Sequence, residues 1–396
     1  MVDETTVDLF DHRHTQDLWE ATARWRRESP VVRLPGGFVY VSRWADCWQV
    51  LRDPLTFANG NGFKAVEMPD EERMLGEMDP PRHPRLRRIM RQSFDRRSVE
   101  AERPFARDTA KRLLSAWGPG SRVDLISQFT DQITNLASFH LLGFPLEDSE
   151  RVVGWVRELL HSDWPELNRT RRGQGLEGAF PELSAYFDGL VEARRGEGAA
   201  EDLLTRLVRS RLEGEPLTPT VLRTLTAHLV LGGISTTTNL LGSLLLRILR
   251  DSELHARLRG EPSLIAAAVE ESLRLDPPVL FVRRVCRRET AIAGVRILEG
   301  EPVLAGIASA NRDERVFEIP DAYRLDRGLP RHLSFSGGAH HCMGAGFARM
   351  VVGEVIGAFV ERFNVNDVRL ASDFEFEGVP VFLEFGPVRL DVSVSG

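Results

Sequence analysis

Cysteine is scarce in this 396-residue chain: Cys47, Cys286 and Cys342 are all it has. They lie far apart and are odd in number, which excludes a disulfide framework, and no paired C-x2-C spacing offers a structural zinc site. No stretch approaches the roughly 18–20 uninterrupted apolar residues that span a bilayer. The opening residues, MVDETTVDLFDHRHTQDLWE, carry acids and no apolar core, unlike a signal peptide or an anchor. Positive charge is not in excess either. A formal net charge of -7 argues against a general nucleic-acid binder and leaves room only for a local basic face. Internal repeats and low-complexity linkers are missing too. What remains is 42% hydrophobic and 28% charged, an ordinary globular composition with enough apolar mass for a large core. The expectation is a soluble cytoplasmic protein with no membrane or nucleic-acid partner.

The patterning predicts mostly helix. Val31–Val41 reads as short strands around the turn at Pro35, Gly36 and Gly37, followed by a helix from Trp44 to Leu51. Asn59–Glu77 lacks clean periodicity and reads as a long loop, a feature often functional in compact domains. Residues 84–142 are read as mostly helical, punctuated at Gly118, Pro119 and Gly120, and residues 150–195 as helical but broken by Pro165 and by Gly173, Gln174 and Gly175. Thr220–Leu249 is the longest apolar helical pattern, interrupted by Gly232, Gly233 and the hydroxyl run Ser235–Thr238. Pro262–Leu275 and Gly344–Phe363 are two further helices, and Val279–Leu304 and the tail Phe374–Val394 are read as strand-rich. The fold class expected is mainly α with a minor β lobe. Residues 1–396 would form one domain with β-rich portions near 31–57, 279–305 and 364–396.

The most informative segment is HLSFSGGAHHCMGAGFAR, from His332 to Arg349. A glycine-rich stretch delivers one cysteine to the start of a long apolar helix. Unpaired backbone N–H groups and the helix dipole there favour the thiolate, the form that binds metal. A single cysteine is more often a small buried hydrophobe. Zinc is a poor reading, because His340, His341 and Cys342 are consecutive and do not converge easily on one ion. A dinucleotide loop fails because Gly344 and Gly346 lack the third glycine and a leading strand.

This segment resembles the cytochrome P-450 family, whose cysteine motif runs F-[GS]-x-G-x-H-x-C-x-G. Phe335, Ser336, Gly338, His340, Cys342 and Gly344 fall on it in register. The resemblance implies the cytochrome P-450 fold, a haem b (iron protoporphyrin IX) with Cys342 as proximal iron ligand, and a mixed set of haem contacts that includes Phe335, Gly338, His340 and Gly344. A second match is Glu271 and Arg274, three apart on one helix face. Alone they would be an ordinary ion pair. In the family this E-x-x-R is a structural lock joined by an arginine from the stretch resembling Asn311–Arg324. A third match, DPPRHPRLR from Asp79 to Arg87, is similar to D-P-P-x-H-x-x-L-R, and Arg284 matches the arginine on the strand after E-x-x-R. His83, Arg87, Arg284 and His340 are thereby implied to hold the haem propionates. Arg88, Arg91, Arg96 and Arg97 are expected to stay exposed, as a basic face for an acidic electron donor.

A fourth match is GGISTT, Gly232 to Thr237, against the family's [AG]-G-x-[DE]-T. It places Thr236 on the threonine that steadies oxygen and its proton supply, with Gly232 and Gly233 allowing oxygen close to the backbone. Ser235 stands where the family has a carboxylate. Two protons are consumed per dioxygen. Without that carboxylate, either water or substrate groups deliver them, or the reaction departs from simple hydroxylation.

The resemblance implies a monooxygenase using O2 and NAD(P)H-derived electrons through ferredoxin and ferredoxin reductase, working as a monomer on a small hydrophobic natural product. Hydroxylation is the default outcome. Oxidative coupling of an aromatic or cyclic-peptide substrate is the alternative within the class, and a non-catalytic haem-binding sensor or electron carrier the alternative outside it. Substrate contacts would come from residues 59–77, 155–185, 228–236, 279–283 and 379–382.

Overall fold

Helices dominate the computed structural model, which describes residues 15–60, 69–161, 175–196, 201–379 and 383–395. The chain divides into two units, one of Met1–Phe57, Arg103–Thr134 and Ser235–Gly396, the other of Ala58–Glu102 and Asn135–Ile234.

The first unit carries the main sheet. Val31–Arg33 turns back on Val39–Val41, with Val31 opposite Val41, through a turn in which Gly36 and Gly37 both take φ of 78°. Val39–Val41 then pairs in parallel with Pro302–Ala305, which pairs antiparallel with Val282–Cys286. The short strand that begins at Phe57 closes the far edge. Val39, Tyr40 and Val41 are all buried because both faces are covered. One face packs on Cys47, Val50 and Ile307, the other on Trp25, Leu280 and Ala308. Strands Thr290–Ile292 and Val295–Ile297 form a hairpin around the turn at Ala293 and Gly294, within the stretch read as strand-rich.

In the same unit the helix Ala345–Arg362 buries Val351, Val355, Ile356 and Phe359 completely and packs along Arg103–Ser115. Each such side chain contributes about 1.5–3 kcal/mol of burial, so the start of this helix is firmly placed. Its neighbour Ile265–Leu275 is preceded by a 3-10 turn at Pro262–Leu264.

The second unit is helical, with Arg82–Ser93, Arg96–Ala101, Ser149–His161, Gly175–Ala179 and Pro181–Ala193 among its helices. Between residues 59 and 77, two 3-10 turns (Asp70–Glu72 and Leu75–Glu77) replace part of the expected loop, and Met74 and Leu75 are buried. Residues 61–68, 162–174 and 380–382, which hold many of the expected substrate contacts, lie outside the described residues.

The longest helix, Pro219–Arg250, is counted in the second unit up to Ile234 and in the first from Ser235. The Thr218 hydroxyl accepts from the Val221 N–H at 3.3 Å, and Pro219 occupies the first turn, where its missing N–H does no harm. By length and composition this helix is apolar enough to cross a membrane, although its apolar residues form no uninterrupted run of that length. Yet 67% of its most apolar stretch is buried inside the protein, as in a core helix.

Two other expectations needed correction. The helix is continuous through Gly232–Thr238, because burial of Leu240, Leu241 and Leu244 anchors it beyond the hydroxyl run. Within the stretch read as helical, Arg122–Asp124 is a strand, recruited by pairing with Asp391–Val394. No local pattern announces that partner.

Candidate active site

The turn carrying Cys342 is held from several sides within the first unit. The Cys342 N–H donates to the Phe335 carbonyl at 2.8 Å, closing a loop in which Ser336 and Gly338 take φ of 59° and 62°. Gly337 and Gly338 let this loop pass against the helix Trp44–Arg52. A β-carbon at Gly337 would stand 2.3 Å from the Trp48 ring, and one at Gly338 would stand 2.7 Å from the Leu51 carbonyl oxygen. Upstream, Asn311 clamps the loop: its Oδ1 accepts from the Leu333 N–H at 2.7 Å and its Nδ2 donates to Ser334 Oγ at 2.8 Å. Gly344 then precedes the helix Ala345–Arg362, so Cys342 sits just ahead of a helix N-terminus.

None of the three cysteines is in a disulfide, and only Cys342 is exposed. Burial pushes the Cys47 and Cys286 thiols up from their ordinary range, which suits inert core sulfurs hydrogen-bonded to carbonyls. The thiol available for ligation is therefore the one on the glycine-rich turn.

Behind the turn lie two adjacent glutamates with separate partners. Glu271 and Arg274 form a fully buried pair, with Arg274 Nε to Glu271 Oε2 at 2.9 Å and Nη2 to Oε1 at 2.7 Å. All of the Arg274 donors are used, because its remaining N–H groups reach the carbonyls of Asn311, Pro320 and Ala322. The further arginine on Glu271 is Arg327, at 2.8 Å, not a side chain from Asn311–Arg324. Arg324 contributes only its backbone N–H, at 3.0 Å, because its guanidinium is turned to Asp326. Burial pushes the Glu271 carboxyl up, but these donors outweigh it and leave the group below its ordinary range.

Glu270, not singled out in the sequence, ties the cysteine segment to the same helix. It accepts from His332 Nε2 at 3.2 Å and from Arg349 Nε and Nη2 at 2.5 and 3.0 Å. Burial opposes ionisation, yet the bonds from His332 and Arg349 bring its pKa down to about 2. The Arg349 guanidinium also lies 4.5 Å over the Phe335 ring. One glutamate thus braces both ends of the segment.

On the long helix, Ser235 and Thr236 are half-buried while Thr237, Thr238 and Asn239 are buried. Within the second unit Ser138 Oγ donates to the Gly233 carbonyl at 3.2 Å. Within the first, Thr134 and Thr238 share a hydroxyl bond of 2.7 Å. Ser235 Oγ donates to Glu384 Oε1 at 2.7 Å, and Asn239 Nδ2 donates to Glu384 Oε2 at 2.8 Å. Nothing in the sequence pointed to Glu384.

Arg284 is buried on strand Val282–Cys286 and His340 half-buried in the 3-10 turn Gly338–His340, both in the first unit. His83 and Arg87 share the helix Arg82–Ser93 of the second unit, with His83 buried and Arg87 half-buried. Arg88, Arg91, Arg96 and Arg97 are exposed, as expected.

Within the first unit, Cys342, Arg284 and His340 are donors of the kinds that an iron porphyrin takes. Among the described residues no cluster of three or more His, Cys, Asp or Glu is placed to hold a metal. A porphyrin brings four nitrogen ligands of its own, so a single protein thiol is a sufficient set for its iron. The Cys342 thiol offers a soft donor for iron, and Arg284 and His340 of the same unit are the kinds of group that pair with carboxylates.

Comparison with known proteins agrees. The family model described as Cytochrome P450 matches residues 38–375. The polyketide biosynthesis cytochrome P450 PksS of Bacillus subtilis is 30% identical, over 98% of this chain and 99% of its own length. The cyclomarin C epoxidase CymV of Salinispora arenicola is 31% identical, over 86% of this chain and 85% of its own. The solved structure of CYP109Q5 from Chondromyces apiculatus superposes with a TM-score of 0.87 at 28% identity, covering 98% of both chains.

Proposed function

The chain belongs to the cytochrome P450 family of haem-dependent monooxygenases, and we propose that it oxidatively tailors a small hydrophobic natural product, with hydroxylation as the outcome. The family uses haem b, O2 as co-substrate and electrons that originate from NAD(P)H and arrive through redox partners. Ferredoxin and ferredoxin reductase are the partners proposed here, with the exposed Arg88, Arg91, Arg96 and Arg97 as the docking charges. PksS is named for polyketide biosynthesis and CymV for an epoxidation, and both support a natural-product substrate for this relative.

The observation that carries the reading is the single exposed thiol, Cys342, on a glycine-rich turn at a helix start. When bound there, haem supplies the activation of dioxygen and the transfer of one oxygen atom to substrate. The residues of the chain do the rest. Cys342 would hold the haem iron through its thiolate, which the adjoining helix dipole favours. His83, Arg87, Arg284 and His340 are assigned to the propionates. Glu271 and Arg274, with Arg327, act as a lock that keeps the turn in place. Gly232 and Gly233 leave room beside the helix backbone, and Thr236 orients a proton donor there. The protein is assigned to the cytoplasm as a monomer.

The test is spectroscopic. Reduced protein under carbon monoxide is expected to show the strongly red-shifted Soret band of thiolate ligation, and Cys342→Ser to lose that shift while staying folded. A folded, haem-loaded wild type without the shift overturns the reading. For the outcome, turnover under labelled dioxygen is expected to place the label in the product. An unlabelled coupled product would instead favour oxidative coupling.

A further inference from the structure

We infer that Glu384, a residue of the C-terminal tail, supplies the carboxylate that the long helix lacks at position 235, and that it holds and passes protons through the Ser235 hydroxyl. The inference rests on the monooxygenase reading above. It begins from a mismatch. A serine hydroxyl can hand a proton along, but it does not take one up and release it near neutral pH as a carboxylate does.

The structure brings a carboxylate to that hydroxyl from elsewhere in the chain. Ser235 and Asn239 are four residues apart, hence on one face of the helix. Between them they engage both oxygens of Glu384, at 2.7 and 2.8 Å. The glutamate is only 8% exposed, so these bonds are little diluted by bulk water.

Its backbone is fixed on both sides. The Leu280 N–H donates to the Leu383 carbonyl at 2.8 Å, and the Phe385 N–H donates to the Pro278 carbonyl at 3.0 Å. Gly386 lets the tail lie flush against the helix. A β-carbon there would stand 2.7 Å from Asn239 Cβ and 2.9 Å from its Cα, a clash with backbone that no rotamer relieves. The serine that departs from the family motif is thus the residue on which this carboxylate is seated, next to Thr236 in the chain.

The step is a proton relay and balances as such. Monooxygenation takes up two electrons and two protons per dioxygen. One oxygen atom goes to substrate and the other leaves as water. The electrons come from NAD(P)H through the redox partners, and the protons come from water. With the Ser235 hydroxyl turned to accept, a protonated Glu384 gives its proton to Ser235 Oγ as the hydroxyl proton leaves to a water molecule. Ser235 is unchanged by the transfer, and the glutamate is reprotonated by water. Glu384 acts through Ser235, so it is a positioning and relay residue.

The experiment compares Glu384→Gln, Ser235→Ala, Ser235→Asp and the double variant Ser235→Asp/Glu384→Gln, each haem-loaded and checked by the carbon monoxide spectrum. Three quantities are read: the solvent deuterium isotope effect, peroxide released per electron pair, and the infrared signal of the titrating buried carboxyl. Glu384→Gln is expected to lose the infrared signal, enlarge the isotope effect and divert at least about tenfold more electrons to peroxide. The double variant, which returns a carboxylate to the helix, is expected to restore all three. Should Glu384→Gln fail to hold haem, Ser235→Ala is expected to move the isotope effect and the peroxide yield in the same direction. Unmoved isotope effect and peroxide yield in whichever of these two variants holds haem would overturn the relay, and so would a double variant no better than Glu384→Gln. A normal carbon monoxide spectrum alongside either result leaves the monooxygenase reading standing. Its absence in wild type would instead strike that reading.

Discussion

Around Cys342 the restraints include buried ion pairs beside the Asn311 amide, whereas around Ser235 they come from hydroxyls, one amide and one distant carboxylate. In the first region Arg274 spends all its donors on Glu271 and three carbonyls, and Glu270 holds His332 and Arg349 together. In the second, Thr134 meets Thr238, and Glu384 is held by Ser235 and Asn239. Saturated buried ion pairs make a rigid mount, because breaking one bond strands a charge. Hydroxyl networks can reverse donor and acceptor at little cost, which suits a place where protons must move. The contrast separates holding from handling.

The sharpest way to break that comparison is to strand a charge in the mount. Arg274→Ala leaves Glu271 buried with fewer donors and is expected to cost about 3–5 kcal/mol. Urea unfolding, with haem retained per chain as a second readout, would measure it. A loss within about 1 kcal/mol, the worth of a surface pair, would mean that the lock is not the mount described.

A medium effect tests Glu270. Its folded pKa lies at about 2, below the ordinary 4.5, so its stabilising contribution is present above pH 4.5 and is lost as pH falls toward 2. Across that window the wild type is expected to lose about 1–2 kcal/mol more stability than Glu270→Gln, after allowance for solvent screening. Parallel unfolding curves for the two proteins over this pH range would remove Glu270 from the mount.

The smallest effect sharpens the picture of the turn itself. Ser336 holds a left-handed φ of 59°, a region that strains any residue with a β-carbon. Ser336→Gly is expected to raise stability by about 1 kcal/mol without moving the carbon monoxide band. Thermal unfolding of the two proteins checks it, and a lower midpoint in the variant would place a stabilising contact of the Ser336 side chain above the strain.

Much of this is legible in the sequence. The cysteine segment, E-x-x-R and the hydroxyl run are contiguous, so their spacing reports which residues share a turn or a helix face. The lock shows where legibility ends. Glu271 and Arg274 were readable as a pair, but Arg327 joins from a loop whose path depends on Arg274 capturing the carbonyls of Pro320 and Ala322. Glu270 looked like a neighbour of the motif until packing set it against His332 and Arg349. The strand Arg122–Asp124 was hidden because three residues carry too little pattern to outweigh the helices around them.

The sequence by itself determined which residue presents a thiol at a helix start, which pair locks behind it, and that the helix lacks its usual acid at position 235. The place of the thiol follows from short-range geometry, where a few residues set their own φ, face and cap, and the lock and the missing acid follow from the resemblance of contiguous motifs to the family. Only the tertiary structure decided where the missing acid is found, because Ser235 and Glu384 are 149 residues apart and meet through the packing of a glycine-bearing tail against a helix. A contact at that separation has no local signature. It exists because the folded chain buries both surfaces together.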